Sequence, residues 1–328
     1  MNSLREIAEV IHRARRFFLC GHINPDGDSI GSVLALGLVL EIMGKEVIMA
    51  SPNPIPENLI FLPGVDRITN DFGRLSDIDT FIMLDCSEPD RLGSEVAELA
   101  KTAREIIVLD HHPVVDCAAD YYYIDEHAAA TGEIVYDLLE LMDIFFAQEI
   151  AVCLYTAIIT DTGSFQYRNT TAQTHRRVAC LLTAGVDVAQ VSISLYGERS
   201  LTHLKAVGAA LNNLKLAADG QLAWISMTRE ILTRISATDE DCDSLINYPR
   251  MIKGVEVALL FQEIEPELFK IGFRSKGSVD VNKIAVAFGG GGHVLASGCR
   301  LSGKLPEVEA TVLSMVKQSL SLLRKVVK

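Results

Sequence analysis

Residues 17–43 read FFLCGHINPDGDSIGSVLALGLVLEIM, and this stretch decides the fold. The apolar run Phe17–Cys20 has the length and composition of a buried strand, and Val33–Met43 follows a helical apolar pattern. Between them, Gly21–Ser32 holds one imidazole and two carboxylates: His22, Asp26 and Asp28. Pro25 and Gly27 alternate with the two aspartates, so the chain bends here and does not continue as a strand. Strand, polar loop and helix make the first half of a βαβ unit. In open α/β sheets, ligands bind just beyond the carboxyl ends of the strands. His-x3-Asp-x-Asp in that place has the composition of a metal site. The same residues also suit a plain turn, in which Asp26 stiffens the loop, Asp28 or Ser29 caps a helix over Ser29–Met43, and His22 is a polar strand end.

The rest of the chain favours the metal reading. Thr80–Leu84 is a strand that ends on Asp85, and Glu105–Leu109 is another that ends on Asp110-His111-His112-Pro113. Both are near-continuous apolar runs, as parallel strands buried on both faces are. Three strands ending at Cys20, Leu84 and Leu109 therefore each deliver an Asp or His to one edge of a parallel sheet. Glu149–Thr160 is an apolar helix closing at Asp161-Thr162-Gly163-Ser164, with Gly163 suited to a C-cap. A carboxylate at the negative end of a helix dipole invites a cation, unless the end is simply solvated. Remaining elements of this half are a helix over Leu4–Arg15, a strand at Glu46–Ala50, irregular chain over Ser51–Pro63, a helix from a Thr131 cap to about Phe146, and a helix over Thr171–Ala184.

His22, Asp26, Asp28, Asp85, His111 and Asp161 are too many ligands for one ion. They suit two, with Asp85 as the bridge. Mixed oxygen and imidazole ligation points to manganese before magnesium. Paired metals are the usual apparatus for phosphoryl transfer to water, in which a bridging water loses a proton and attacks phosphorus. Asp110 is expected to hold a ligating histidine by its second ring nitrogen, with His112 facing the substrate.

Val188–Leu214, broken near Gly197 and Gly208, reads as a helical connector. Beyond it the pattern is α+β: strands at Leu222–Met227, Val255–Gln262 and Leu268–Ser275, a helix over Val281–Phe288, and a last helix over Pro306–Val327. Gly289–Gly292 followed by His293, with Arg274-Ser275-Lys276 shortly before, suits an anion site, because glycine backbone admits a phosphate closely. A flexible hinge is the alternative for the glycine run. The expected domains are 1–187, a connector over 188–214, and 215–328.

The chain has 328 residues, 49% of them hydrophobic and 22% charged, which is globular in character. Its net charge of −13 argues against a broad electrostatic grip on long or double-stranded nucleic acid, though not against a small phosphorylated substrate. Seven cysteines with no C-x-x-C pair fit reduced thiols in a cytoplasm. Met1–Arg16 lacks an apolar signal core, and no uncharged run approaches the ~20 residues of a membrane span. The expectation is a soluble cytoplasmic protein with no membrane partner; a second copy of the chain is a candidate partner.

Asp110-His111-His112 and the loop His22-x3-Asp26-x-Asp28 resemble the DHH phosphoesterases, and Gly290-Gly291-Gly292-His293 resembles the signature of the DHHA1 domain that often follows. The likeness covers nearly the whole chain in the right order. Its size, with no extra domain, resembles the bacterial short-oligoribonuclease and pAp (3′-phosphoadenosine-5′-phosphate) phosphatase branch. The resemblance implies an N-terminal parallel-sheet DHH domain with helices on both faces and a smaller α+β DHHA1 domain. It implies one manganese on His22, Asp26 and Asp85, and a second on Asp28, Asp85, His111 and Asp161. It also implies His112 on the scissile phosphate, and Arg274, Gly290–Gly292 and His293 on the far end of the substrate. The implied activity is hydrolysis of short oligoribonucleotides to mononucleotides and of pAp to AMP. A phosphodiesterase for cyclic dinucleotides of the c-di-AMP type, or for their linear products, is the alternative. A non-catalytic nucleotide sensor is a further one, which the presence of all six ligands disfavours.

Overall fold

The computed structural model describes residues 2–72, 78–113, 117, 119–242 and 244–326, with side chains described to residue 321. The chain divides into two compact units, Met1–Glu198 and Arg199–Lys328.

The first unit opens with α1 (Leu4–Arg13), held by a reciprocal Ser3–Glu6 cap and ending two residues before the expected Arg15, since Ala14 is already extended. There follow β1 (Arg16–Cys20), α2 (Gly27–Ile42), β2 (Glu46–Ala50), β3 (Ile68–Thr69), β4 (Thr80–Leu84), α3 (Ser94–Ala100), β5 (Glu105–Asp110) and β6 (Tyr121–Ile124). Then come α4 (Thr131–Leu141), α5 (Gln148–Asp161), α6 (Ala172–Thr183) and α7 (Val188–Ser192), which runs into a π turn over Ile193–Gly197. The sheet order is β3-β2-β1-β4-β5-β6, and every pairing is parallel. The chain winds outward from β1 in one direction and from β4 in the other. The crevice at the carboxyl ends of β1 and β4 is thus the topological switch point, where ligands of doubly wound sheets bind.

The sheet is covered on both faces. α1, α2, α4 and α5 pack on one side with Phe17, Leu19, Ile82, Leu84, Ile107 and Leu109. Val96 and Ala100 of α3 pack on the other with Phe18, Phe81 and Val108. α2 is buried from Gly27 to Leu40, so it shows no polar stripe; a helix apolar all round is one enclosed by other layers. It lies close to α5 because Gly31 has no side chain: a Cβ there would stand 2.5 Å from the Cys153 carbonyl oxygen.

Several boundaries differ from the sequence reading. α2 starts at Gly27 and its cap is Asp26, not Asp28 or Ser29. The cap position before α4 is Ala130, Thr131 is the first helical residue, and the helix stops at Leu141 and not at Phe146, with Asp143 at positive φ. β5 continues through Asp110.

The second unit holds α8 (Leu201–Asn212), β7 (Lys215–Ala217), β8 (Leu222–Met227), α9 (Arg229–Ile235), α10 (Asn247–Met251), β9 (Val257–Glu265), β10 (Leu268–Ser275), α11 (Val281–Ala287), β11 (Gly291–His293), β12 (Ala296–Ser302) and α12 (Leu305–Val326). The sheet order is β11-β12-β10-β9-β8-β7, antiparallel except between β8 and β9. α11 and α12 cover one face and α8, α9 and α10 the other. α8 runs straight through Gly208, where the sequence suggested a break. Of the segment 188–214, α7 and the π turn fall in the first unit and α8 in the second. The expected last residue of the final helix, Val327, lies outside the described residues. Among the described residues no single helix is long and apolar enough to cross a membrane.

The α2–α5 contact yields a prediction. Gly→Ala inside a helix normally gains up to about 1 kcal/mol in propensity. At Gly31 the added methyl must displace α5, and overpacking of this kind costs about 1–3 kcal/mol. Gly31→Ala is expected to lower the melting temperature by several degrees; an unchanged or raised value would refute the close approach.

Candidate metal centre

Three adjacent parallel strands, β1, β4 and β5, end at one edge and bring their following residues together. His22 follows β1, Asp85 follows β4, Asp110 closes β5, and His111 and His112 come next. Asp26 and Asp28 stand at the start of α2, and Asp161 is the last residue of α5. Three groups of donor atoms lie within 4.8 Å of one another: His22, Asp26 and Asp85; Asp28, His111 and Asp161; and Asp85, His111 and His112.

The two buried imidazoles are oriented alike. The Nδ1 atoms of His22 and His111 lie 2.8 and 3.2 Å from the carbonyl oxygens of Ile23 and Ala128. A carbonyl can only accept, so each Nδ1 carries a proton, which leaves each Nε2 as the nitrogen that would ligate an ion. His22 Nε2 faces Asp85 Oδ2 at 3.2 Å and Asp26 Oδ2 at 3.8 Å. His111 Nε2 stands 3.7 Å from Asp28 Oδ2, 3.6 Å from Asp85 Oδ1 and 3.5 Å from Asp161 Oδ2. It is buried and has no hydrogen-bond partner. Those separations are too long for hydrogen bonds and are near the spacing of donors around a shared cation with bonds of about 2.1 Å. An orphaned buried nitrogen enclosed by three carboxylates fits a divalent ion.

Each carboxylate is held as well. Asp26 Oδ1 accepts the N–H groups of Asp28 and Ser29 at 3.1 Å, which leaves Oδ2 for the His22 side. Asp28 accepts from Thr131 N–H at 2.7 Å, Gly132 N–H at 2.8 Å and the Ser32 hydroxyl at 3.3 Å. Asp85 accepts the Thr131 hydroxyl at 3.2 Å. Its own backbone is left-handed, with φ +57°, while its N–H still bonds Leu109 O at 3.0 Å. Asp110 differs from the sequence expectation. Its Oδ1 accepts from the backbone N–H groups of His111 and His112 and lies 2.8 Å from His112 Nδ1, so it orients the ring of His112 and not that of His22 or His111.

Sequence reading missed Thr131, whose apparent capping chemistry concealed a bond to Asp85. Arg274 lies in the second unit, on β10. Register places Arg274 beside Ala296, and Ala296 beside His293, so the three share one row across β10, β12 and β11. Residues opposite one another in antiparallel pairs share a face. The Arg274 guanidinium donates to Phe273 O at 3.0 Å. Burial, and then the positive charge of Arg250, hold its pKa below the usual arginine value. The glycine run is not a free hinge. A Cβ on Gly290 would strike Gly298 O at 2.1 Å, and one on Gly292 would lie 2.7 Å from the Ser297 Cα. Close packing of β11 on β12 demands both, while Gly291 faces open space.

The chain matches the DHH family, N-terminal domain, over residues 16–158 and the DHHA1 domain over residues 219–322. It is 32% identical over 97% of its length to the bifunctional oligoribonuclease and PAP phosphatase NrnA of Thermus thermophilus, spanning 95% of that protein. The Bacillus subtilis protein of the same name is 28% identical, over 90% of this chain and 92% of its own. The crystal structure of an exopolyphosphatase-related protein from Bacteroides fragilis superposes with a TM-score of 0.91 at 28% identity, covering 98% of this chain and 97% of that one. The chain belongs to the DHH family. It is a phosphoester-hydrolysing enzyme.

The electrostatics of this DHH centre are those of a site short of positive charge. Burial raises Asp28 well above the usual carboxylate range, and the charges of Asp85, Asp161 and Asp26 add to it. Burial likewise raises Asp85, against the opposing hydrogen bond from His22. Asp161 is pushed up to about 6, by burial first and then, although His111 opposes it, by Asp85 and Asp26. Burial pulls His22 down, but its hydrogen bond and charge contact with Asp85 outweigh that and leave it raised. His112 is raised chiefly by its bond to Asp110, and Asp110 is lowered because that bond outweighs its own burial.

A group whose folded pKa is raised contributes stability that is present at low pH and lost as pH rises through the folded value. For Asp161 that window runs from about pH 4 to about pH 6. In chelator-treated protein, wild type is therefore expected to lose stability relative to Asp161→Asn across this window, by at most about 3 kcal/mol. Urea unfolding at pH 4.5 and 7 measures the difference; an equal gap at both values would refute it.

Proposed function

We propose that this chain hydrolyses short oligoribonucleotides to mononucleotides and pAp to AMP, at two divalent cations held by His22, Asp26, Asp28, Asp85, His111 and Asp161. The observation that carries the reading is His111 Nε2, buried without a partner among three carboxylates whose own nearest counter-charges are imidazoles. The names of the Thermus and Bacillus relatives support the substrate class. Manganese suits the mixed oxygen and imidazole donors best. When bound, the cations supply a hydroxide nucleophile at neutral pH and neutralise charge on the phosphoryl oxygens.

The protein's own groups do the rest. Asp85 offers its two oxygens to different sides: Oδ2 toward His22, Oδ1 toward His111 and His112. That is the arrangement of a bridging carboxylate. His112 is partly exposed and carries the third imidazole of the site. Its Nδ1–H is held by Asp110, which fixes the ring and favours the protonated form. Nε2–H is then free to donate to a phosphoryl oxygen, and to return a proton to the leaving oxygen. In the second unit, Arg274 is a candidate for binding a substrate phosphate by charge, with His293 in the same row of the sheet. Seven free cysteines support a reducing, cytoplasmic setting for the reaction.

Asp85→Asn is expected to abolish hydrolysis and leave the fold intact, because it removes charge from both proposed ion positions at once. Full turnover in that variant would refute the two-ion reading. Initial rates on a ladder of RNA lengths test the substrate. The chain is acidic, at −13, and shows no long basic stripe to guide a strand. Di- to tetranucleotides are expected to be degraded much faster than a strand of about 20 nucleotides, with pAp dephosphorylated by the same sample. Rates that climb with length, or that favour a cyclic dinucleotide over all of these, would assign a different substrate.

A further inference from the structure

Thr131 makes two bonds that tie together carboxylates from different parts of the chain. Its backbone N–H donates to Asp28 Oδ2 at 2.7 Å, and its hydroxyl donates to Asp85 Oδ1 at 3.2 Å. The residue is fully buried, so no water competes for either bond. Gly132, next in the helix, adds an N–H to Asp28 Oδ1 at 2.8 Å.

The two bonds differ in what they control. Asp28 has three donors, two of them backbone N–H groups, so a Val or Ser at 131 leaves all three in place. Asp85 depends on side chains. The torsion that turns a carboxylate about its last bond is soft, with broad minima. Only the Thr131 hydroxyl on Oδ1 and the His22 imidazole on Oδ2 fix the plane of this carboxylate among the hydrogen bonds and ion pairs of the described residues, apart from His111 and His112 at 3.6 and 3.4 Å. A carboxylate must hold that plane to present one oxygen to each of two ions.

We propose that Thr131 is a positioning residue, whose hydroxyl sets the plane of Asp85 so that Oδ1 is presented to the group formed by Asp28, His111 and Asp161. This rests on the metal reading given above. Thr131→Val keeps the shape and both backbone bonds to Asp28 but removes the donor to Asp85. Thr131→Ser keeps the donor and drops the methyl group.

The test is a calorimetric Mn2+ titration of the full chain for wild type and both variants, with melting curves in chelator and in saturating Mn2+. Outer partners of metal ligands are worth about 10- to 100-fold in affinity. Thr131→Val is expected to weaken the looser Mn2+ by that factor and to shrink the Mn2+-dependent rise in melting temperature. Thr131→Ser is expected to stay within a few-fold of wild type. A Val variant that titrates like wild type overturns the proposal and leaves the metal reading standing. So does a Ser variant that fails as badly as Val, which would assign the effect to packing. If the Val variant does not fold, the Ser variant still decides: it must bind both ions as wild type does. A wild-type chain that takes up no Mn2+ overturns the metal reading itself.

Discussion

Burying several carboxylates in one place is the constraint on which this structure turns. Asp28 and Asp85 are almost wholly inaccessible, and Asp161 faces the same imidazole nitrogen as they do. Such a cluster is costly without compensating charge or donors. The fold supplies donors from the first turn of α4, at Thr131 and Gly132, and from His22. To bring that first turn to Asp28, α4 must lie against α2 and α5, which is where the small residues are. A Cβ on Gly132 would stand 2.5 Å from that of Ala157, and one on Gly31 would press on Cys153 O. The close approach of α4 to α5 at Gly132 thus accompanies the hydrogen bonds from this turn to Asp28.

The sheet order does the complementary work. With β1 and β4 side by side and the winding reversed between them, loops after adjacent strands diverge and leave a crevice. Asp110 belongs to the strand and not to the crevice. From there it organises the DHH triplet itself, tying both following backbone amides and the His112 ring to one oxygen. His111 and His112, neighbours in sequence, are thereby turned to different tasks, one held by a backbone carbonyl and the other by a carboxylate.

Much of this was legible in the sequence. Unbroken apolar runs at Thr80–Leu84 and Glu105–Leu109 identify buried parallel strands, and the polar residues that stop them mark the edge. Asp161 was readable from its misfit with the helix dipole. What escaped detection has physical reasons. β3 and β6 are short edge strands, and Tyr121–Ile124 carries no alternation, since all four residues are half-buried. β11 and β12 are concealed by glycines that read as loop, although Gly290 and Gly292 are there because β12 leaves no room for a side chain. Thr131 looked like a cap because threonine before a helical run commonly is one, and nothing local shows that its partner lies 46 positions away. The partnership of Asp110 with His112 was open for the same kind of reason: spacing does not say which way a ring turns.

The left-handed backbone at Asp85 has a consequence for how this protein can change by descent. At φ +57° residues other than glycine, asparagine, aspartate and histidine are disfavoured, and β-branched ones strongly so. Most single-base changes of an aspartate codon therefore cost backbone energy here, and all but glutamate also remove the charge. Asparagine, histidine and glycine release the charge with the least conflict with the backbone. A duplicated copy that abandons hydrolysis while keeping the fold has its easiest exits there, so an Asn, His or Gly after β4 is the mark by which such a copy would be known.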